Sequence, residues 1–292
     1  MESPIITLTT DWNICDFFVG KVKGRLLSLL PDAKIIDITH TLPPFQLQRA
    51  IFIARSVCYE YPQDTIHIID VAMPYEAMPR YLAIECEGQY YICTDNGLPY
   101  GLFFGRRFRA YDTSKVNWKY HTFPALDLFC KVAVMIAHGF DIEEFGNPVK
   151  DLVPITDYYA ISKSDWMELH VIYFDSYGNA YLDISYDDFE RVRNGRKFTM
   201  NVNEHKITNV HFGYIPGVDL APTSLDSLPA NKPQPVAREF SSVRKLILTV
   251  SSTSMLQLAV VGGSAEQLLG MHQITTIRVT FGDSMTQTNR AL

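Results

Sequence analysis

The spacing of apolar residues changes once along this chain, and that change constrains the fold more than any other feature. Residues 4–10 (PIITLTT), 33–40 (AKIIDITH) and 65–73 (TIHIIDVAM) are short apolar runs that read as buried strands. Between them, 16–30 and 46–60 carry apolar residues at helical intervals and end against Pro31 and Pro62. Residues 82–93 continue with β-rich alternation, and 127–140 make a last helix that stops at Gly139. Strands separated by helices imply βαβ units, hence a mostly parallel sheet covered on both faces.

After about residue 150 the spacing shortens. Segments 168–175, 179–185, 198–203, 207–213, 245–250, 255–261 and 274–281 are rich in Val, Ile, Thr and Tyr and are divided by turn signals such as Tyr177-Gly178-Asn179 and Asn194-Gly195. They read as an all-β domain, sandwich or barrel. The Pro/Ser/Asp-rich stretch 216–240 lacks periodicity and reads as a long loop. A chain of 292 residues also exceeds the usual size of one core, so we expect two domains, 1–152 and 165–292, joined by a linker at 153–164.

Charge excludes one class of partner. With 26 Lys+Arg against 32 Asp+Glu the formal net charge is −6, and no basic cluster is present to neutralise a phosphate backbone, so no nucleic-acid partner is expected. No apolar run approaches the ~20 residues of a membrane helix. The opening MESPIITLTT lacks the basic and apolar regions of a signal peptide, so no membrane association and a cytoplasmic location are expected. The five cysteines, Cys15, Cys58, Cys86, Cys93 and Cys130, contain no C-x-x-C pair and read as reduced core residues. The eight histidines show no metal-ligand spacing, so no metal is expected.

Four acids stand near strand ends: Asp11, Asp37, Asp70 and Asp95. Ligands of parallel α/β sheets bind beyond the carboxyl ends of the strands, where such acids grip hydroxylated or cationic groups, although an Asp there also caps the next helix or turn. Walker A, G-x-G-x-x-G, G-x-S-x-G and H-E-x-x-H motifs are all missing, which removes support for phosphate-cradling and nucleophile-elbow chemistry.

Residues 5–24 (IITLTTDWNICDFFVGKVKG), 35–45 (IIDITHTLPPF), 66–70 (IHIID), 94–98 (TDNGL), 122–127 (TFPALD), 171–184 (VIYFDSYGNAYLDI) and 251–270 (SSTSMLQLAVVGGSAEQLLG) form an ordered set running nearly end to end. The set resembles the S-adenosylmethionine (SAM) hydroxide adenosyltransferases, or SAM hydrolases, which are related to the bacterial fluorinase and chlorinase. The resemblance implies an α/β fold with an N-terminal Rossmann-like α/β/α domain and a C-terminal all-β barrel. It also implies a homotrimer that holds SAM between the N-domain of one subunit and the C-domain of the next, with SAM as substrate and no cofactor.

Carried over by motif, the resemblance implies that Asp11 binds the ribose diol and that Asp16 and Asp175 hold the methionine ammonium. Phe45 would wall the nucleoside, Asn179 and a backbone group near Gly263 would read adenine, and Ser252 and Thr253 would bind the methionine carboxylate. Each also has an ordinary structural use, since Tyr-Gly-Asn is a common turn and Ser-Ser-Thr a common loop.

The family assigns its hydrolytic water to an Asp, Arg and His set. Asp70 matches the Asp, and Arg80 is the counterpart of the Arg at a longer spacing, after an altered 71–79 loop. Pro124 occupies the histidine position, Leu126 replaces a further basic residue, and His121 lies three residues upstream of Pro124. The halogenase donors are missing: Val71, Pro74 and Ala125 stand where they belong, and Ser254 stands near the place of the halogenases' Arg, which argues against fluorination or chlorination. Two readings stay open. One is a SAM hydrolase that releases adenosine and methionine by water attack at C5′, with Asp70 and Arg80 catalytic; the other is a weakened family member that binds SAM or adenosine without efficient turnover.

Overall fold

A computed structural model of the chain describes residues 3–72, 79–119, 122–155, 160–214, 245–272 and 275–282. The long loop expected at 216–240, Pro74 and His121 lie outside the described residues. The chain divides into two compact units, Met1–Asp157 and Tyr158–Leu292.

The first unit begins β1 (Ile5–Thr10), α1 (Phe18–Leu29), β2 (Lys34–Thr39), α2 (Leu47–Val57) and β3 (Ile66–Asp70). It continues β4 (Tyr81–Cys86), β5 (Gln89–Thr94), α3 (Leu98–Phe103), β6 (Arg109–Asp112), a π-helical turn at Ala125–Phe129 and α4 (Cys130–Ala137). The sheet order is β2-β1-β3-β5-β4-β6. The first four strands are parallel, whereas β4 runs antiparallel to both β5 and β6. The expected run at 82–93 is therefore a hairpin: Cys86 faces Gln89, and Glu87 and Gly88 turn the chain with φ of +53° and +77°. Two residues close an antiparallel pair but cannot make a parallel crossover, so the sheet is mixed.

Alternation along the strands sends side chains to two cores. Ile6, Leu8, Ile66, Ile68 and Ile92 pack with Val22 and Leu26 of α1 and with Val132, Ala133 and Ile136 of α4. On the opposite face Ile69, Leu82, Ile84, Tyr91 and Cys93 pack with Ala50, Ile51 and Ala54 of α2 and with Leu98 and Leu102 of α3. Cys58, Cys86, Cys93 and Cys130 are buried free thiols, but Cys15 is exposed in the loop before α1, contrary to the core expectation.

The second unit holds β7 (Ile161–Ser162), β8 (Trp166–Phe174), β9 (Ala180–Ser185), α5 (Tyr186–Arg193), β10 (Phe198–Val202), β11 (His205–Ile207) and β12 (Val210–His211). It continues with β13 (Leu246–Val250), β14 (Met255–Val260), α6 (Ala265–Leu269) and β15 (Thr276–Phe281). The sheet runs β11-β10-β15-β8-β9-β14-β13-β12, with β7 beside β8. The expected strand at 207–213 divides, because β11 pairs with β10 while β12 pairs with β13.

Two helices correct the all-β expectation for this unit. The Ser185 hydroxyl caps α5 by accepting from the Asp188 N–H at 3.1 Å, and Asp187 and Asp188 fill the first turn. Asn194, left-handed at φ +48°, ends the helix, so Asn194-Gly195 is a helix stop and not a hairpin turn. Among the described residues no helix is long and apolar enough to cross a membrane.

Candidate active site

In the first sheet β1 lies between β2 and β3, so the chain leaves β1 to one side and returns on the other. Carboxyl ends of parallel strands diverge at such a switch and leave a crevice for ligand. Thr10 is in register with Asp70, which brings the carboxyl ends of β1 and β3 to the same level. Asp11 follows directly, and its Oδ2 accepts from the Ala72 N–H at 3.0 Å. Asn96, just beyond β5, donates its side-chain amide to the Val71 and Ala72 carbonyls at 2.9 and 2.8 Å. This clamp holds a turn in which Ala72 has φ +56°, a backbone state that a residue with a Cβ rarely adopts.

Asp70 is buried, and its Oδ2 accepts from the Trp12 indole N–H at 3.0 Å. Burial pushes its carboxyl up to about 7; the Trp12 bond opposes that rise and the charge of Asp11 adds to it. The Trp12 ring meets Phe123 edge-on at 5.1 Å and stacks with His40 at 6.2 Å. His40 is fixed in turn by Thr10, whose hydroxyl lies 2.7 Å from Nδ1.

Arg80 does not pair with Asp70. Tyr81 faces Thr94, so the antiparallel register sets Arg80 against the end of β5. Its Nε donates to Asp95 Oδ2 at 2.8 Å, and Nη1 reaches Asp151 Oδ1 at 3.3 Å. The buried Asp95 also accepts from the Val153 N–H at 3.0 Å, so Arg80 ties the chain near 151–153 to the sheet. Asp37, on the edge strand β2, pairs with Lys23 and lies 3.0 Å through Oδ1 from His40 Nε2, which links it to the Thr10–His40–Trp12 group. Asp16 is exposed in the loop before α1, and Phe45 is exposed with φ +66°.

The second unit gathers a further set. Asp175 Oδ1 accepts from the N–H groups of Tyr177 and Asn179, both at 2.9 Å, and Oδ2 accepts from the Asn179 side-chain amide at 2.8 Å. Half of the Asn179 donor capacity is thus spent inside its own turn. Gly178 (φ +76°) presses on Ser264 at the start of α6, and the Glu266 N–H donates to the Gly178 carbonyl at 3.0 Å. Gly263 lies in the turn after β14, bonded through its N–H to the Val260 carbonyl at 3.0 Å. Ser252 and Thr253 lie at the other end of β14, where the Thr253 hydroxyl is 2.9 Å from that of Ser251. Asp175, Asn179 and Gly263 therefore share one end of this strand, and Ser252 and Thr253 take the opposite end.

Residues 6–146 match the model of the SAM hydroxide adenosyltransferase N-terminal domain, and residues 169–278 match that of the C-terminal domain. The chain belongs to the SAM hydroxide adenosyltransferase family. It is 27% identical over 290 residues to the (R)-S-adenosyl-L-methionine hydrolase of Salinispora tropica, covering 96% of this chain and 99% of that one. The (R)-S-adenosyl-L-methionine hydrolase of Methanocaldococcus jannaschii is 28% identical over 195 residues, 63% of this chain and 68% of that protein. A fluorinase of Nocardia brasiliensis matches over only 22% of this chain and 21% of its own, at 33% identity. In fold, an uncharacterized conserved protein of Thermotoga maritima superposes with a TM-score of 0.74 at 19% identity, covering 94% of this chain and 99% of that one.

Against the adenosyltransferase pattern, the buried Pro124 opens the π-helical turn with φ −56° and has no N–H to offer. Ala125 is fully buried in the core beneath α1 and α4. Two residues at the switch point escape a reading of the sequence: Trp12, the donor to Asp70, and Asn96, the clamp on 71–72. The Asn-Gly pair at 96–97 is a visible turn signal, but no local signal joins Trp12 to a residue 58 positions away.

Proposed function

We propose that this protein hydrolyses SAM to adenosine and methionine by water attack at C5′, with SAM as its substrate and no cofactor. Supporting this reading is the carboxylate pair at the switch point, with Asp11 bonded to the Ala72 N–H just beyond β1 and Asp70 buried at the end of β3 as a base of raised affinity for protons. Water forms the C5′–O bond while the C5′–S bond breaks, and methionine leaves as a neutral thioether that needs no acid. The proton released by the water passes to Asp70. A carboxylate with its pKa near the working pH combines availability with basicity, which is what a general base requires.

On the same reading Asp11 takes the ribose diol, Asp16 and Asp175 the ammonium, and Ser252 and Thr253 the carboxylate. Asn179 and the backbone near Gly263 take adenine, and Phe45 walls the nucleoside. Arg80, held by Asp95, would place the water only from the rim of the site. The first unit is taken as a Rossmann-like α/β/α domain (1–152), the second as a β-barrel domain (165–292), with 153–164 as linker. The family architecture further suggests a homotrimer with sites between subunits; a cytoplasmic location is part of the same proposal but does not rest on that architecture.

A second reading is favoured by Arg80, which is committed to Asp95 and Asp151, and by Pro124: binding of SAM or adenosine without efficient turnover. Incubation of the purified protein with SAM, followed by chromatography, separates the two. Hydrolysis yields adenosine and methionine in equal amounts, unaffected by added chloride or fluoride. SAM recovered intact by a protein that binds it leaves the binding reading, and a halogenated nucleoside overturns both.

A further inference from the structure

We propose that Trp12 is the positioning residue of the hydrolytic base: its indole N–H fixes Asp70 through Oδ2 and leaves Oδ1 as the oxygen that meets the water. This inference rests on the hydrolytic reading above and adds to it a residue which acts on Asp70 alone.

Four observations carry it. Trp12 Nε1 lies 3.0 Å from Asp70 Oδ2, and Oδ1 accepts from no described residue. Arg80 is held by Asp95 and Asp151, and the donor that reaches Asp70 is the Trp12 indole. The ring is itself held, edge-on against Phe123 and stacked with His40, while Phe18 meets Phe123 at 5.0 Å; the N–H direction is thus set by packing. Finally, Trp12 adjoins Asp11 in the chain, so one short segment beyond β1 binds the ligand crevice and orients the base.

The chemistry of the donor matters. An indole N–H is uncharged and cannot lose its proton in the working range, so it orients the carboxylate without neutralising it. A cation in the same place would hold the carboxylate as a far weaker base. The indole therefore leaves Asp70 with the pKa of about 7 that its burial imposes. Hydrogen bonding to the charged form still lowers that value, so loss of the N–H must raise it further.

The test is Trp12→Phe, which keeps an aromatic ring beside Phe123 while removing the donor together with part of the ring's bulk. Rates of adenosine release are measured from about pH 5 to 9, spanning the range in which a base of this kind titrates. The expected result is an acid limb of kcat/KM displaced upward by roughly one pH unit, the worth of a hydrogen bond to a charged group. kcat at neutral pH falls, KM changes little, and adenosine affinity by calorimetry is unchanged. A profile that superposes on that of the active wild type overturns the role of Trp12.

A readout independent of turnover accompanies it. The indole N–H resonance of Trp12, one of three in the chain, is assigned by its loss in Trp12→Phe. It should titrate with a midpoint near that of Asp70 and stop titrating in Asp70→Asn; a resonance indifferent to Asp70→Asn overturns the inference at its first step. If the wild type releases no adenosine, the hydrolytic reading falls, and the role of Trp12 in turnover falls with it. An active wild type with an unshifted Trp12→Phe profile removes Trp12 alone.

Discussion

Asn96 donates its side-chain amide to the Ala72 carbonyl at 2.8 Å, while the N–H of the same Ala72 donates to Asp11. One residue therefore couples the end of β5 to the carboxylate after β1. Replacing Asn96 with Ala leaves the Val71 and Ala72 carbonyls without this donor in a part-buried turn, a loss of about 1–3 kcal/mol. The expected outcome is a lower urea midpoint and weaker adenosine binding, because the released turn no longer holds Asp11. Urea denaturation and titration calorimetry on Asn96→Ala check both; unchanged adenosine affinity would mean that the clamp serves stability only.

Asp70 gives a pH dependence with a definite sign. Its native pKa of about 7 stands above the ordinary value of 3.8, so the native state holds this proton more tightly than the unfolded chain. Stability associated with it is full below the unfolded value and is lost as pH rises through about 7. The loss is on the order of 4 kcal/mol at about 1.36 kcal/mol per pH unit. Asp70→Asn has no charge to bury, so relative to the wild type its stability should increase from pH 4 to 7 and level off above. Thermal melts of both proteins across this range provide the measurement, and a constant difference would show that Asp70 ionises without penalty.

Local pattern carried most of the first unit. Ile and Thr at 5–10 and Ile at 66–70 stand in buried strands, and the helices end close to Pro31 and Pro62, whereas 34–39 is the edge strand of the sheet and has no fully buried residue, because a strand paired on one side only is covered less. The residues that escaped are those whose structure depends on partners distant in the chain. Leu98–Phe103 is short and contains Gly101, a poor helix former; Pro99 fits the first turn, where its missing N–H is not needed, and burial of Leu98, Leu102 and Phe103 in one core with α2 makes the helix. The all-β reading misses α5, although Ser185 and the first-turn acids Asp187 and Asp188 are helix-start signals, because Asn194-Gly195 serves a helix stop and a hairpin equally well. At the site, Asp11, Asp70 and Asp95 stood out as strand-end acids, whereas their partners Ala72, Trp12 and Arg80 follow from register and packing.

The turn that holds Asp175 and Asn179 depends on a glycine. A Cβ on Gly178 would lie 2.0 Å from Ser264 Oγ and 2.7 Å from Ser264 Cβ, at φ +76°. Gly178→Ala should therefore destabilise by about 1–3 kcal/mol through backbone strain and the clash together. Ser264→Gly removes the clash and retains a residue acceptable at the N-cap of α6. The double variant should recover part of the loss, leaving the strain. A double-mutant cycle by urea denaturation measures the coupling, and strictly additive losses would refute the contact as its source.

His67 supplies the opposite pH dependence from a place outside the site. Its Nδ1 lies 2.7 Å from the Thr7 hydroxyl, Nε2 has no partner among the described residues, and the ring stacks on Tyr91 at 4.8 Å. Burial lowers its pKa to about 4 from 6.5, so here the unfolded chain binds the proton more tightly. The associated stability is full above the unfolded value and is lost as pH falls from 6.5 toward 4. Across that window Asp70 pulls the other way, so the two slopes offset each other and stability should vary little with pH on their account. His67→Gln removes one of the two. The variant should have a stability that declines from pH 4 to 6.5, by about 3 kcal/mol more than the wild type at 1.36 kcal/mol per unit. The comparison rests on the slope and not on the absolute value, because the substitution also alters packing. Urea denaturation of both proteins at matched ionic strength gives that slope, and parallel curves would show that His67 does not titrate on unfolding.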